Sequence, residues 1–287
     1  MMRKIATLFC LVAICCGIGK GIHSMKKGFT LRRIAAPVQT KLEIWNREAD
    51  LALDQPFRYL GRGRQCFAFS SLDGKYVLKL PRTDIYQVPF WMRVLSVQEF
   101  RESVRATRLS REKFVLNSMK IAYEDLREDT GVLAIHFGMT PDLGKSIQLI
   151  DALGLSFRLP AHSTAFILQT KQPILMKAFL EALYSEDRVL GKQILDAFIE
   201  VVVARGSKGI WNKDESFLRN YGFDGKKGYQ IDIGSFYRKE DGPASIRDTM
   251  HPVRAWLAKI DLEMLCYFDN ALEKSMQSKF CEPRPKA

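Results

Sequence analysis

Asp232 stands at the end of a short apolar run, Tyr229-Gln230-Ile231, and is followed by Ile233-Gly234. A carboxylate at a strand end packs poorly and suits a hard cation, which takes oxygen ligands. Upstream, Asn212-Lys213-Asp214 and Asn220-Tyr221-Gly222 supply a second carboxylate and an amide from a loop. A separate group lies near residue 60, where Leu60-Gly61-Arg62-Gly63-Arg64-Gln65-Cys66-Phe67 separates two strand-like segments. Two glycines two apart let backbone N–H groups approach a phosphate closely. Lys79 lies in Val77-Leu78-Lys79-Leu80 and faces opposite to Leu78 and Leu80. A lysine so placed needs an anionic partner in the fold. The plainer alternatives are a hairpin with an exposed lysine, and an ordinary turn at Asp232-Ile233-Gly234. A Walker A loop is excluded, because no Gly-Lys-Ser/Thr follows the glycines.

Taken together and in this order, the two groups resemble the glycine-rich loop, strand lysine, catalytic loop and Asp-Phe-Gly segment of the protein-kinase-like superfamily. The atypical members, of small-molecule, lipopolysaccharide or pseudokinase type, are the nearest in pattern. The resemblance covers about residues 58–236. It implies an α+β fold of two lobes, with an antiparallel sheet and one main helix in the N-lobe and a mostly helical C-lobe. It implies ATP and Mg²⁺ as cofactors. Gly61, Gly63 and Lys79 would hold the nucleotide, Asp232 and Asn220 the metal, and Asp214 would orient the acceptor hydroxyl. The lysine's partner would be a glutamate on the following helix, from Glu99, Glu102, Glu112 and Glu124. Glu112 is preferred because it shares a face with Val115, Leu116 and Met119.

The chain departs from that pattern in four places. Cys66 replaces the third loop glycine. Asn212-Lys213-Asp214 stands where the family reads His-Arg-Asp. Asn220 follows Asp214 by six residues, where the family has five, and no Ala-Pro-Glu follows. These departures keep open a second function, a catalytically inactive binding protein on the same fold. A third is a secreted interaction protein with no nucleotide site.

The elements that must position these residues are legible in outline. Arg58 to Leu80 reads as a two-stranded hairpin, with Asp73-Gly74 as its turn. Ser96-Val97-Gln98-Glu99 is a capping-box pattern opening a helix that runs to about Arg127, with a break near Ser110. Gly131 to Phe137, Ile147 to Leu149 and Thr164 to Gln169 are strand candidates. Ile174 to Leu183 and Asp187 to about Arg205 are helical, the second with Leu190, Ile194, Ala197, Phe198, Val201 and Val202 on one stripe. A loop over Gly206 to Phe223, a strand over Tyr229 to Ile233 and a helix over Pro252 to about Met276 complete the chain.

Charge is concentrated at one end. Eight of the +12 formal charges lie in the first 42 residues, which hold no acid, leaving about +4 for the remainder. That distribution argues against nucleic acid as the partner. Ile5 to Gly19 is an uncharged apolar run of 15 residues behind Arg3 and Lys4, the form of a signal peptide or membrane anchor. Met25 is an alternative start. Five basic residues from Lys20 to Arg33 follow the run, against two before it. They favour membrane association with the catalytic half in the cytoplasm, over secretion after cleavage. The same residues suit an anionic membrane surface, or serve as a plain linker. The organisation read from sequence is therefore 1–19 signal or anchor, 20–50 basic linker, 51–170 nucleotide-binding N-lobe and 171–287 catalytic and metal-binding C-lobe. None of the six cysteines or four histidines has zinc spacing.

Overall fold

The computed structural model describes residue 25 and residues 27–35, 41–45, 47–89, 91–92, 97–140 and 144–280. The apolar run 5–19 and Ser96 lie outside them. The fold is α+β, with elements in the order strands, one long helix, more strands, then helices, as the sequence reading expects. It divides into two compact units. Unit 1 holds the residues up to Glu112 together with Leu133–Thr170, and unit 2 holds Lys113–Val132 and Lys171–Ala287.

Unit 1 is built on an eight-stranded sheet. Its strands are β1 (Leu42–Ile44), β2 (Phe57–Arg62), β3 (Cys66–Ser71), β4 (Tyr76–Pro81), β5 (Val132–Phe137), β6 (Ser146–Ile150), β7 (Ser156–Pro160) and β8 (Phe166–Thr170). Their spatial order is β1-β5-β8-β4-β3-β2-β6-β7. The β2–β6 pair is parallel, so the sheet is mixed where the sequence implied an antiparallel one. The expected hairpin is a three-stranded meander, because the stretch from Phe57 into the first glycines is itself a strand. Period-2 burial organises it. Phe67 and Phe69 on β3 and Leu78 and Leu80 on β4 are fully buried, and Lys79 between the two leucines is half-buried on the other face.

The stretch read as basic linker is in part structured. Phe29 is 1% exposed and meets Phe67 and Phe69 edge-on, with ring centroids 5.2 and 5.1 Å away. Ile34 joins the same core. A short helix, α1 (Arg47–Ala52), follows β1 and buries Ala49 and Ala52 there.

The long helix α2 (Gln98–Glu124) is continuous through Ser110, without the expected break. Ser110 lies among Arg, Leu and Glu, all good helix formers, and one serine does not interrupt them. The helix begins at Gln98, with Arg101 N bonded to Val97 O at 3.1 Å; the capping box read on Ser96 lies outside the described residues.

Unit 2 contains α3 (Arg127–Thr130), α4 (Leu175–Tyr184), α5 (Arg188–Ser207), α6 (Pro243–Ile260) and α7 (Leu262–Phe280). Two small ribbons, β10 (Tyr221–Phe223) with β11 (Gly228–Gln230), and β9 (Ile210–Asn212) with β12 (Phe236–Arg238), complete it. The Asp187 carboxylate caps α5 by accepting from Leu190 N at 2.9 Å. The apolar stripe read from sequence is the buried face of α5, save Leu190 at its partly buried edge. The tail is two helices instead of one. Asp261 adopts an extended backbone and caps α7 through Met264 N at 3.0 Å. β9 and β10 fall inside the expected loop, and β11 stops at Gln230 before Asp232.

Candidate functional site

In unit 2 the sequence places Asp214, Asn220 and Asp232 on separate segments, and local bonding gathers them. Gly209, at a φ of +67°, turns the chain from the end of α5 into β9. β9 pairs with β12 so that Asn212 faces Phe236. Just beyond, Lys213 N donates to Ser235 O at 3.1 Å, which fixes the start of the loop beside Gly234-Ser235. Asn212 Oδ1 then accepts from Asp214 N at 2.8 Å and bends the chain. Asn220 is the knot. Its Nδ2 donates to Asp214 O at 2.8 Å, and its backbone O accepts from Ile231 N at 2.9 Å, one residue before Asp232. Asp232 Oδ1 accepts from Gly234 N at 3.2 Å. Asn220 is buried, whereas Asp214 and Asp232 are exposed.

This donor set fits Mg²⁺. The bond to Asp214 O requires the NH₂ of Asn220, which leaves its Oδ1 as ligand atom. With the Asp232 carboxylate it offers oxygen alone, as a small hard cation demands. Among the described residues no group of three or more His, Cys, Asp or Glu is placed to hold a metal unaided. A magnesium ion at these residues would complete its shell from phosphates and water.

Polar residues to which the sequence reading gave no role brace this region. Ser118, on the unit 2 part of α2, is fully buried; its Oγ donates to Ile233 O at 2.6 Å and accepts from Phe236 N at 2.5 Å. The Asp-Ile-Gly segment thus hangs from a helix by one hydroxyl. Arg205, near the end of α5, is 1% exposed and donates to Glu215 Oε1 and Gln230 Oε1. Tyr221 OH donates to Glu215 Oε2 at 2.6 Å. Burial pushes the Tyr221 hydroxyl well above its ordinary range, so it remains a donor. Burial works against the charge on Arg205, but Tyr221 and Glu215 beside it hold its pKa above the usual value. Lys213 Nζ lies 4.1 Å from the centroid of the Phe114 ring and 5.7 Å from that of Tyr237, a cation–π seat. A serine on the apolar side of α2 was the one readable signal; a lone arginine reads as surface charge.

In unit 1 Lys79 lies centrally in the sheet, opposite Ala68 on β3 and Ile167 on β8. Of the four candidate glutamates, Glu112 is buried at 3% exposure, and Glu99, Glu102 and Glu124 are exposed. Burial pushes the Tyr86 hydroxyl up, and the nearby Cys66 and Glu112 add to it. The loop itself is a tight turn. Gly63 N donates to Cys66 O at 2.9 Å, closing Arg64-Gln65 as a two-residue connection. The Gly63 amide is therefore committed, and Arg64 and Gln65 carry the amides left to a phosphate. Arg82, just past the end of β4, braces the turn, with its N on Gln65 O at 2.7 Å and its Nη1 on Arg64 O at 3.3 Å. Among the described residues a Cβ at Gly61 would meet nothing within 4 Å, and one at Gly63 only Cys66 O at 3.6 Å. Packing of the chain itself demands neither glycine; what they leave open is space outside it.

No protein-family model and no curated protein sequence matches the chain. Among solved structures it is similar to the bifunctional kinase-methyltransferase WbdD, at 16% identity and a TM-score of 0.39 over 90% of this chain and 51% of that one. It is similar also to monomeric WbdD, at 17% identity and 0.36 over 86% and 51%. A third is the ROP18 kinase domain in complex with AMP-PNP and sucrose, at 13% identity and 0.35 over 64% and 52%. The chain spans about half the length of the solved structures it matches.

Proposed function

We propose that this chain is an ATP-dependent phosphotransferase. The observation that carries the reading is the bonding of Asp214, Asn220 and the residue before Asp232 through one buried asparagine. It draws a carboxylate fit for an acceptor hydroxyl and two oxygen donors fit for a metal from three segments of sequence. In this reading Asp232 and Asn220 hold Mg²⁺, which supplies charge neutralisation at the phosphates. Lys79 aligns the α- and β-phosphates, with Glu112 as its acidic partner. The turn at Gly61 to Gln65 covers the phosphates. Asp214 orients the acceptor hydroxyl and takes its proton. Catalysis is then chiefly positioning and electrostatics, and needs no covalent intermediate.

A second reading is a binding protein that keeps the site without turnover. The committed Gly63 amide and Asn212 in the catalytic loop favour it. Titration of the chain with ATP, with and without Mg²⁺, followed by a phosphate-release assay, separates the two. The wild-type chain is expected to bind ATP more tightly with Mg²⁺ and to turn it over. Asp214→Asn is expected to lower turnover about 10²- to 10⁴-fold, the range of a general base, with ATP affinity kept. Mg²⁺-dependent binding with no turnover would select the binding protein. No binding at millimolar ATP would exclude both.

The site requires ATP, so we place the catalytic half in the cytoplasm, with the apolar run 5–19 as a membrane anchor and the basic stretch beside it on an anionic surface. A cytoplasmic fluorescent fusion after Ala287 is expected to be bright and a phosphatase fusion inactive; the reverse pattern means export.

A further inference from the structure

We infer that Arg205 is a positioning residue that locks the metal-bearing strand and the catalytic loop to each other, and the inference rests on the phosphotransferase reading above. The argument is one of placement. Each proposed site residue of unit 2 is next to, or two positions from, a member of the Arg205 network. Glu215 follows Asp214, Tyr221 follows Asn220, and Gln230 precedes Asp232 by two. One guanidinium meets Glu215 through Nη2 and Gln230 through Nη1. Glu215 in turn accepts from Tyr221 OH at 2.6 Å. The far face of the network is closed by Phe236, whose ring centroid is 5.9 Å from the Arg205 guanidinium carbon.

Packing alone does not call for this arrangement. Among the described residues Arg205 Nε and Gln230 Nε2, both buried, find no hydrogen-bond partner, a cost that an apolar pair of similar volume would not carry. What the ionic arrangement supplies is geometry. The planar fork of Arg205 fixes two directions at once. One arm sets Gln230 and with it the exit of β11 into Asp232. The other sets Glu215, from which the peptide bearing Asp214 departs. Glu215 has two oxygens, and both are used, one by Arg205 and one by Tyr221. The three segments therefore cannot shift independently without breaking a charge-assisted bond.

The two arms separate in experiment. Gln230→Met removes the arm toward Asp232 and keeps the side-chain volume. It is expected to raise the Mg²⁺ concentration required for ATP binding by ~10- to 100-fold, as loss of outer-shell support does, with ATP affinity in saturating Mg²⁺ near that of wild type. Glu215→Gln weakens the arm toward Asp214. It is expected to lower turnover by a similar ~10- to 100-fold with the Mg²⁺ requirement unchanged. Arg205→Lys, which keeps the charge and loses the fork, is expected to show both effects. Thermal melts accompany each titration. Should Arg205→Lys fail to fold, the two single-arm variants still decide the matter. A brace with only a structural role predicts that all variants lose activity in proportion to their melting temperatures, without the split, and that result overturns the inference. Wild-type chain that fails to bind Mg²⁺-ATP overturns the phosphotransferase reading itself, and the inference falls with it.

Discussion

Asp232→Ala is expected to abolish the Mg²⁺-dependent part of ATP binding and to leave the fold intact. Asp232 is exposed, and among the described residues its carboxylate accepts only from Gly234 N, at 3.2 Å. Little stability rests on it, so a melting temperature close to wild type is the control. The effect on function is large for the opposite reason. Asn220 Oδ1 is the other donor oxygen proposed for the metal, and one amide oxygen holds magnesium poorly without a carboxylate. The loss of Mg²⁺-dependent affinity is expected to exceed the ~100-fold upper range of outer-shell changes. Calorimetric titration with ATP at several Mg²⁺ concentrations reads it directly. Identical Mg²⁺ dependence in the variant and the wild type would remove Asp232 from the metal site.

Phe29→Ala is expected to destabilise unit 1 by about 3–5 kcal/mol, the cost of emptying a well-packed aromatic site. The ring is 1% exposed and touches Phe67 and Phe69 edge-on; it also stands 6.2 Å from Phe157 and 6.4 Å from Tyr59. It therefore joins two strands of the meander to β7. The residues around it are held as well. Gly28 turns at a φ of +78°, and Arg33 Nη1 donates to Gly28 O at 3.1 Å. Urea denaturation of the variant against wild type measures the loss. A change under ~1 kcal/mol, the scale of an ordinary surface substitution or less, would return this stretch to the status of linker.

Phe29 also shows why part of the fold was hidden in the sequence. Lys26-Lys27 and Arg32-Arg33 flank it, and a single apolar residue among cations has no period to read. The three-residue strands β9 and β10 are too short for alternation to show. β7 is five residues long and ends at Leu159-Pro160, a breaker signal, so it reads as loop. The long elements were different. α5 has an apolar stripe from Leu190 to Val202 and an aspartate at its start, and its position follows from those alone.

Within the site, legibility followed chemistry. Asp232 stood out because an acid before Ile-Gly gains nothing from packing. Glu112 was separable from its three rivals by the apolar residues on its face, and burial divides the four in the same way. Arg205, Glu215 and Gln230 gave no such signal. Their types are ordinary on a surface, and only the fold of unit 2 reveals that they meet in its interior.

Ser118 has a consequence for regulation. Its hydroxyl gives its proton to Ile233 O and takes one from Phe236 N, so the segment after Asp232 closes onto α2 much as a further turn of backbone would. Any rearrangement that swings Asp232-Ile233-Gly234 aside must strand both groups, at about 1–3 kcal/mol for each unmade bond. The swung-out population is then about one molecule in thirty at most, and far smaller at the upper end of that range. A segment this firmly seated is costly to displace, so the turn proposed to hold the metal would make a poor latch for switching the protein off.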